Sequence, residues 1–210
     1  MSQNLLLGNL ICSSNSLTSL DVSQNLVLWS LDCRDNNLGT LDVSQNTELE
    51  SLACSSTNIS SLEVSHLFDL QDLNCANNPI SNLDLSQNQN LTYLRIGSTI
   101  LTDIDVSQNT LLYSLYAQNA SLTTLDLSQN LDLRNVFIAE NELTSIDLTS
   151  NSNLYNLDVS YNNLAILDLR QNFNLGRLNC RTNNLTALNL RNGHNVTLKE
   201  VDARSNNDLE

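Results

Sequence analysis

Proline occurs once in this chain, at Pro79, and glycine five times. Aromatic residues make up 4% and charged residues 15%, against about a quarter charged in ordinary globular domains. The scarcity of Lys, Glu and Ala removes the stock of a coiled coil or helical bundle. No apolar run approaches the roughly 18 residues of a membrane span. Basic residues number 9 against 23 acidic ones, a net charge of -14, which opposes nucleic acid and anionic membrane as partners. No phosphate-binding glycine loop and no cofactor motif is present. His66 and His194 have no plausible nucleophilic partner, so the chain reads as non-catalytic.

What is present is leucine at a fixed period. Leu28, Leu49, Leu70, Leu91, Leu112, Leu133, Leu154 and Leu175 stand at one constant interval, and the 210-residue chain holds ten such units. Backwards the register reaches Leu7, Leu10 and Cys12; only the last unit slips, with two extra residues before Leu198 and Val201. Each unit contains two halves, LxxLxCxxN (Leu28 to Asn36) and LxxLDVSxN (Leu38 to Asn46). Paired apolar residues two apart, Leu31/Cys33 and Leu41/Val43, predict a strand with both side chains on one face in each half. An Asn three residues later is expected to turn the chain, because Asn bonds nearby backbone and tolerates unusual dihedrals. Helix is not expected, since neither half has a 3.6 period.

The pattern LxxLxCxxNxLxxLDVSxNxx resembles the leucine-rich-repeat family, in its short nested bacterial form called IRREKO, and is similar to repeats of Bacteroidetes surface proteins. The resemblance covers essentially the whole chain. It implies a β-rich solenoid, a right-handed superhelix of about ten coils, with a parallel sheet from the LxxLxC strands. It also implies a binding protein, secreted or at the cell surface. The near-equal halves predict a second sheet from the LDV strands. Ten strands at about 4.8 Å stack to roughly 48 Å. One solenoid domain is expected over residues 1–210, with an irregular last coil at 191–210. The repeats begin directly after Met1, so no signal peptide is expected within this stretch. Neither end shows a polar cap, so we expect a segment of a longer exported protein, or ends covered by another chain or by end-to-end self-association.

Cys12, Cys33, Cys54, Cys75 and Cys180 share one inward column with Ile96, Ala117, Ile138 and Val159. A slot that also takes Ile and Val suits a free buried thiol. Disulfides between in-register neighbours would need distorted geometry, and a metal would need His or acidic partners in the core.

The outward positions of the LDV half repeat: Asp21, Asp42, Glu63, Asp84, Asp105, Asp126, Asp147 and Asp168. Either each carboxylate accepts hydrogen bonds that pin coil to coil, or the column binds calcium. The triplets starting at Asn58, Asn90, Asn119, Asn184 and Asn195 match a glycosylation signal by chance in so Asn-rich a chain. The outward positions of the LxxLxC half vary from coil to coil, as a recognition surface would. They gather Tyr93, Arg95, Tyr113, Tyr116, Arg134, Phe137, Tyr155, Tyr161, Arg177 and Arg181. Tyr and Arg are frequent interface anchors. Net charge falls from -10 over residues 1–105 to -4 over 106–210, so the Arg-bearing part should be locally near neutral or positive. Three readings follow: a protein-binding face, a carbohydrate-binding face using the aromatics, or a structural spacer whose aromatics only stabilise the sheet.

Overall fold

The computed structural model describes residues 3–193 and 196–209; His194 and Asn195 lie outside them. Among the described residues there is no helix and there are twelve three-residue strands. They are β1 (Asn9–Ile11), β2 (Ser30–Asp32), β3 (Ser51–Ala53), β4 (Asp72–Asn74), β5 (Tyr93–Arg95) and β6 (Ser114–Tyr116). Then follow β7 (Asn135–Phe137), β8 (Asn156–Asp158), β9 (Ile166–Asp168), β10 (Arg177–Asn179), β11 (Ala187–Asn189) and β12 (Glu200–Asp202). Ten of them form one parallel sheet in the order β1-β2-β3-β4-β5-β6-β7-β8-β10-β12. Nine turns of the chain therefore separate the first strand from the last. Each strand pairs with the next at an offset equal to the sequence repeat, as in Leu10↔Leu31 and Leu94↔Leu115. The last step, Leu178↔Val201, is longer than the rest and absorbs the two extra residues.

Leucines at the repeat positions fill the interior. Leu28, Leu49, Leu70, Leu91, Leu112, Leu133, Leu154 and Leu175 are fully buried, each contributing about 1.5–3 kcal/mol. No coil buries them alone, so stability comes from stacking. Cys33, Cys54, Cys75 and Cys180 lie buried in the same interior as free thiols, and Cys12 in the first coil is only half-buried. Burial pushes Cys33 and Cys75 up to about 12 and Cys180 up to about 11. At the N-terminal end Leu5 and Leu6 are exposed.

The second sheet is much smaller than expected: only β9 and β11 pair. Elsewhere the column sets carboxylate beside carboxylate, and like charges directly opposite weaken pairing. At β9 the charge of Asp168 is matched by Arg170 at 2.7 Å, and β11 carries Asn189 where other coils have Asp. The pair forms where the repulsion ends.

The carboxylates do not pin coil to coil either. Each accepts the backbone N–H two residues ahead in its own coil, as Asp42 does from Ser44 at 2.9 Å and Asp105 from Ser107 at 2.8 Å. That turn holds these carboxyls below the usual carboxylate range. Asparagines tie the coils together instead. Asn46 Nδ2 donates to Val22 O and Asn25 O of the preceding coil, and Asn88, Asn109, Asn130, Asn151 and Asn172 repeat the contact. A second column does the same beside the large sheet: Asn78 donates to Cys54 O and accepts from the N–H groups of Thr57 and Ile59. The unusual dihedral falls one residue before this column position, not on it. Asp35, Ser56, Asn77, Glu140, Tyr161 and Thr182 all have φ between 52° and 58°.

Candidate binding face

The central residue of each strand points into the core, so the first and third point outward from the large sheet. This alternation carries Tyr93 and Arg95 on β5, Tyr116 on β6, Phe137 on β7 and Arg177 on β10 to one face. Tyr113, Arg134 and Tyr155 precede β6, β7 and β8 and lie along one edge of that face; Tyr161 and Arg181 follow β8 and β10 along the other. The ten positions thus share a face; nine of them fall into three groups and Arg177 stands apart.

The central group is continuous. The Tyr116 and Phe137 rings stack with centroids 5.0 Å apart and planes 11° from parallel. The Arg95 guanidinium lies 5.4 Å from the Tyr116 ring and 5.7 Å from the Tyr93 ring. Arg95 also reaches one coil back to Asp72 at 2.6 Å. Cation–ring attraction of this kind contributes about 0.5–1 kcal/mol when exposed, so the stack is organised before any ligand arrives. Polar links continue it: Asn156 Nδ2 donates to Asn135 Oδ1 at 2.7 Å, and Asn135 Nδ2 to Ser114 Oγ at 2.9 Å. The Asn156 Oδ1 atom is buried and accepts no hydrogen bond.

The first edge group forms a groove of about 490 Å³ lined by Tyr113, Arg134, Asn135, Asn153, Tyr155, Asn174 and Thr197. Arg134 lies 5.4 Å over the Tyr113 ring, and Tyr93 and Tyr113 are 5.8 Å apart. On the opposite edge Arg181 stands 4.9 Å over the Tyr161 ring. Arg177 belongs to neither group and faces Glu200 at 3.7 Å.

The face is less positive than the charge count suggests. Asp32 takes Arg34, Asp72 takes Arg95, Glu200 takes Arg177 and Asp202 takes Arg204. Arg34 and Arg204 fork onto their partners through two nitrogens each. The Asp202 carboxyl is held down at about 2 by Arg204. The sequence signal for two of these pairs was there: an Asp ending a strand is followed two residues later by an Arg. Asp72, Asn153, Asn174 and Gly176 were missed because nothing in their own coil marks them; each acts on a neighbour one coil away. Among the described residues no group of three His, Cys, Asp or Glu side chains is placed to hold a metal ion, and no helix is long and apolar enough to cross a membrane.

No protein-family profile matches the sequence, and no curated protein does. Solved structures do. The functional domain of InlJ from Listeria monocytogenes, whose description includes a cysteine ladder, is 37% identical over all of this chain and 46% of its own, with a TM-score of 0.96. A leucine-rich-repeat protein of Leptospira interrogans is 25% identical over 96% of this chain and 56% of its own, with a TM-score of 0.89. The chain therefore spans about half the length of these solved chains. The Toll–Spatzle complex of Drosophila shares the fold alone, at 18% identity and a TM-score of 0.71. With the strict repeat register, the Asn columns and the parallel sheet in place, the chain has the leucine-rich-repeat fold of these neighbours, in its short-repeat form.

Proposed function

We propose that this chain is a non-catalytic recognition module that binds a protein partner through the varied face of the large sheet. One observation carries the reading: Tyr93, Arg95, Tyr116 and Phe137 form a preassembled row across three strands of an otherwise repetitive scaffold. A surface ordered before binding loses little entropy on association, and Tyr and Arg give large contact area with polar ends. That a chain of the same fold is solved in complex with the protein Spatzle supports the reading. So does the monotony of the opposite, LDV side, which offers nothing to distinguish one partner from another. We place the module outside the cell or on its surface, as part of a longer protein, in keeping with the family it resembles.

A photo-crosslinking residue at Phe137 tests this, with Ser128 on the LDV side as control. The expected result is a discrete protein adduct from position 137 in native surface extract, absent from position 128 and lost on adding excess unmodified chain. Adducts of equal yield from both positions overturn it. The spacer reading wins if Tyr116→Ser/Phe137→Ser leaves every activity of the parent protein intact.

A further inference from the structure

The edge groove holds a different chemistry from the central row. Gly176 lies next to it on the following coil. A Cβ built on Gly176 would stand 2.4 Å from Tyr155 Cε2 and 2.5 Å from its Cζ. The tyrosine ring therefore rests against the backbone of the next coil, in space that any other residue would fill. That backbone is itself fixed: Gly176 donates its N–H to Tyr155 O at 2.9 Å and accepts from Lys199 at 2.8 Å. The ring is backed by protein on one side and lines the groove on the other.

Arg134 is the one guanidinium in the lining. In a chain this acidic, five arginines have carboxylates within reach. Among the described residues none forms an ion pair with Arg134, which lies over Tyr113 and lines the groove. Asn153 and Asn174 line the groove as well, with Asn135 and Thr197. Asn153 and Asn174 each donate one N–H to the backbone one coil back, to Leu131 O at 3.3 Å and Ser152 O at 3.2 Å. This fixes the amides and leaves on each an acceptor oxygen and a second N–H. Fixed amides offering donor and acceptor together match hydroxyl groups, which also donate and accept. A carboxylate accepts only, and matches the arginine. The electron-rich face of an aromatic ring attracts the weakly positive C–H side of a saturated ring.

We propose that this groove binds a carboxylated sugar residue. The sugar ring packs on Tyr155, its carboxylate meets Arg134, and its hydroxyls meet Asn153 and Asn174. This is a second ligand class, beyond the protein recognition assigned to the central row, and the two are separable by mutation.

Isothermal titration of the folded chain tests it with a galacturonate trimer and with sialyllactose, which distinguish the two kinds of carboxylated sugar. The neutral galactose trimer, lactose and a glutamate trimer are the comparisons. We expect a dissociation constant of about 1 mM or tighter for at least one acidic sugar, and at least about tenfold weaker binding of its neutral counterpart. Arg134→Gln and Tyr155→Ala should each weaken it about tenfold or more, as should Gly176→Ala, which displaces the ring without touching the ligand. Tyr116→Ser/Phe137→Ser should bind the sugar unchanged, so that failure of the protein-binding reading and failure of this one give different results. Circular dichroism checks that each variant is folded. The proposal is overturned if neither acidic sugar binds up to about 10 mM. It is equally overturned if the glutamate trimer binds as well, or if binding survives Tyr155→Ala.

Discussion

His66 Nε2 stands 3.0 Å from the carbonyl oxygen of Val43, where neighbouring coils place an asparagine amide. The asparagine column is interrupted in this coil by Leu67, which is buried. His66, one residue earlier, supplies one of the two cross-coil contacts and leaves Asn46 O without the other. His66→Ala should cost about 1 kcal/mol, the worth of one net hydrogen bond. His66→Gln/Leu67→Asn rebuilds the column and should recover that loss or exceed it. Urea unfolding of the three proteins checks both; an alanine variant as stable as the parent would show that the contact contributes nothing.

The carboxylate column predicts a pH dependence. Asp21, Asp42, Glu63, Asp84, Asp105, Asp126, Asp147 and Asp168 are all held below their ordinary values by hydrogen bonds from the residue two ahead. Below the ordinary carboxylate value of about 4 the unfolded chain binds more protons than the folded one. Stability is therefore fully present above that pH and falls as pH drops through the folded values. Asp105→Asn keeps the acceptor, as Asn189 does for the Arg191 N–H at 3.1 Å, but cannot titrate. Its urea midpoint should fall less steeply between about pH 4 and pH 2, and at neutral pH it should lie slightly below the parent, since the charged form that the Ser107 hydrogen bonds favour is gone.

Glu140 is exposed and has φ of 58°. A left-handed backbone costs an ordinary residue about 1–2 kcal/mol, and Asn less. Glu140→Asn should raise stability by about 0.5–1 kcal/mol, read as a higher thermal midpoint. No change, or a decrease, would mean that Glu140 makes a compensating contact.

The thiols should react in order of burial. Cys33, Cys54, Cys75 and Cys180 are buried and Cys12 partly open; burial raises every one of the five thiol pKa values. In native protein near pH 8 a thiol reagent should label Cys12 first and the others only as the chain unfolds, when five thiols appear. Rapid native labelling of Cys54 would contradict the packing. A raised thiol pKa contributes stability below the unfolded value of about 8.5 that is lost as pH rises above it, so unfolding should become easier in alkali.

The register, the core and the sharing of one face were legible in the sequence because the period is strict: any residue's partner is found by moving one full repeat along the chain. The second sheet was over-read, since alternation in Leu41-Asp42-Val43 looks like a strand. Charge decides instead, and Asn189 and Arg170 were visible signs of where pairing resumes. The ten site candidates lie on one face, but its division into groups depends on neighbours in other coils. That Tyr155 occupies the place of a missing side chain at Gly176 could not be read from either coil alone.

The lengthened step from Arg177 to Glu200 leaves their two strands in the same alignment as every other pair. Growth of the connecting segment is thus mechanically invisible to the face: the strand ladder resets it. For protein engineering this marks the connection from Asn179 to Glu200 as tolerant of added length. A loop, label or second binding element could be inserted there while the spacing of the display rows stays as it is.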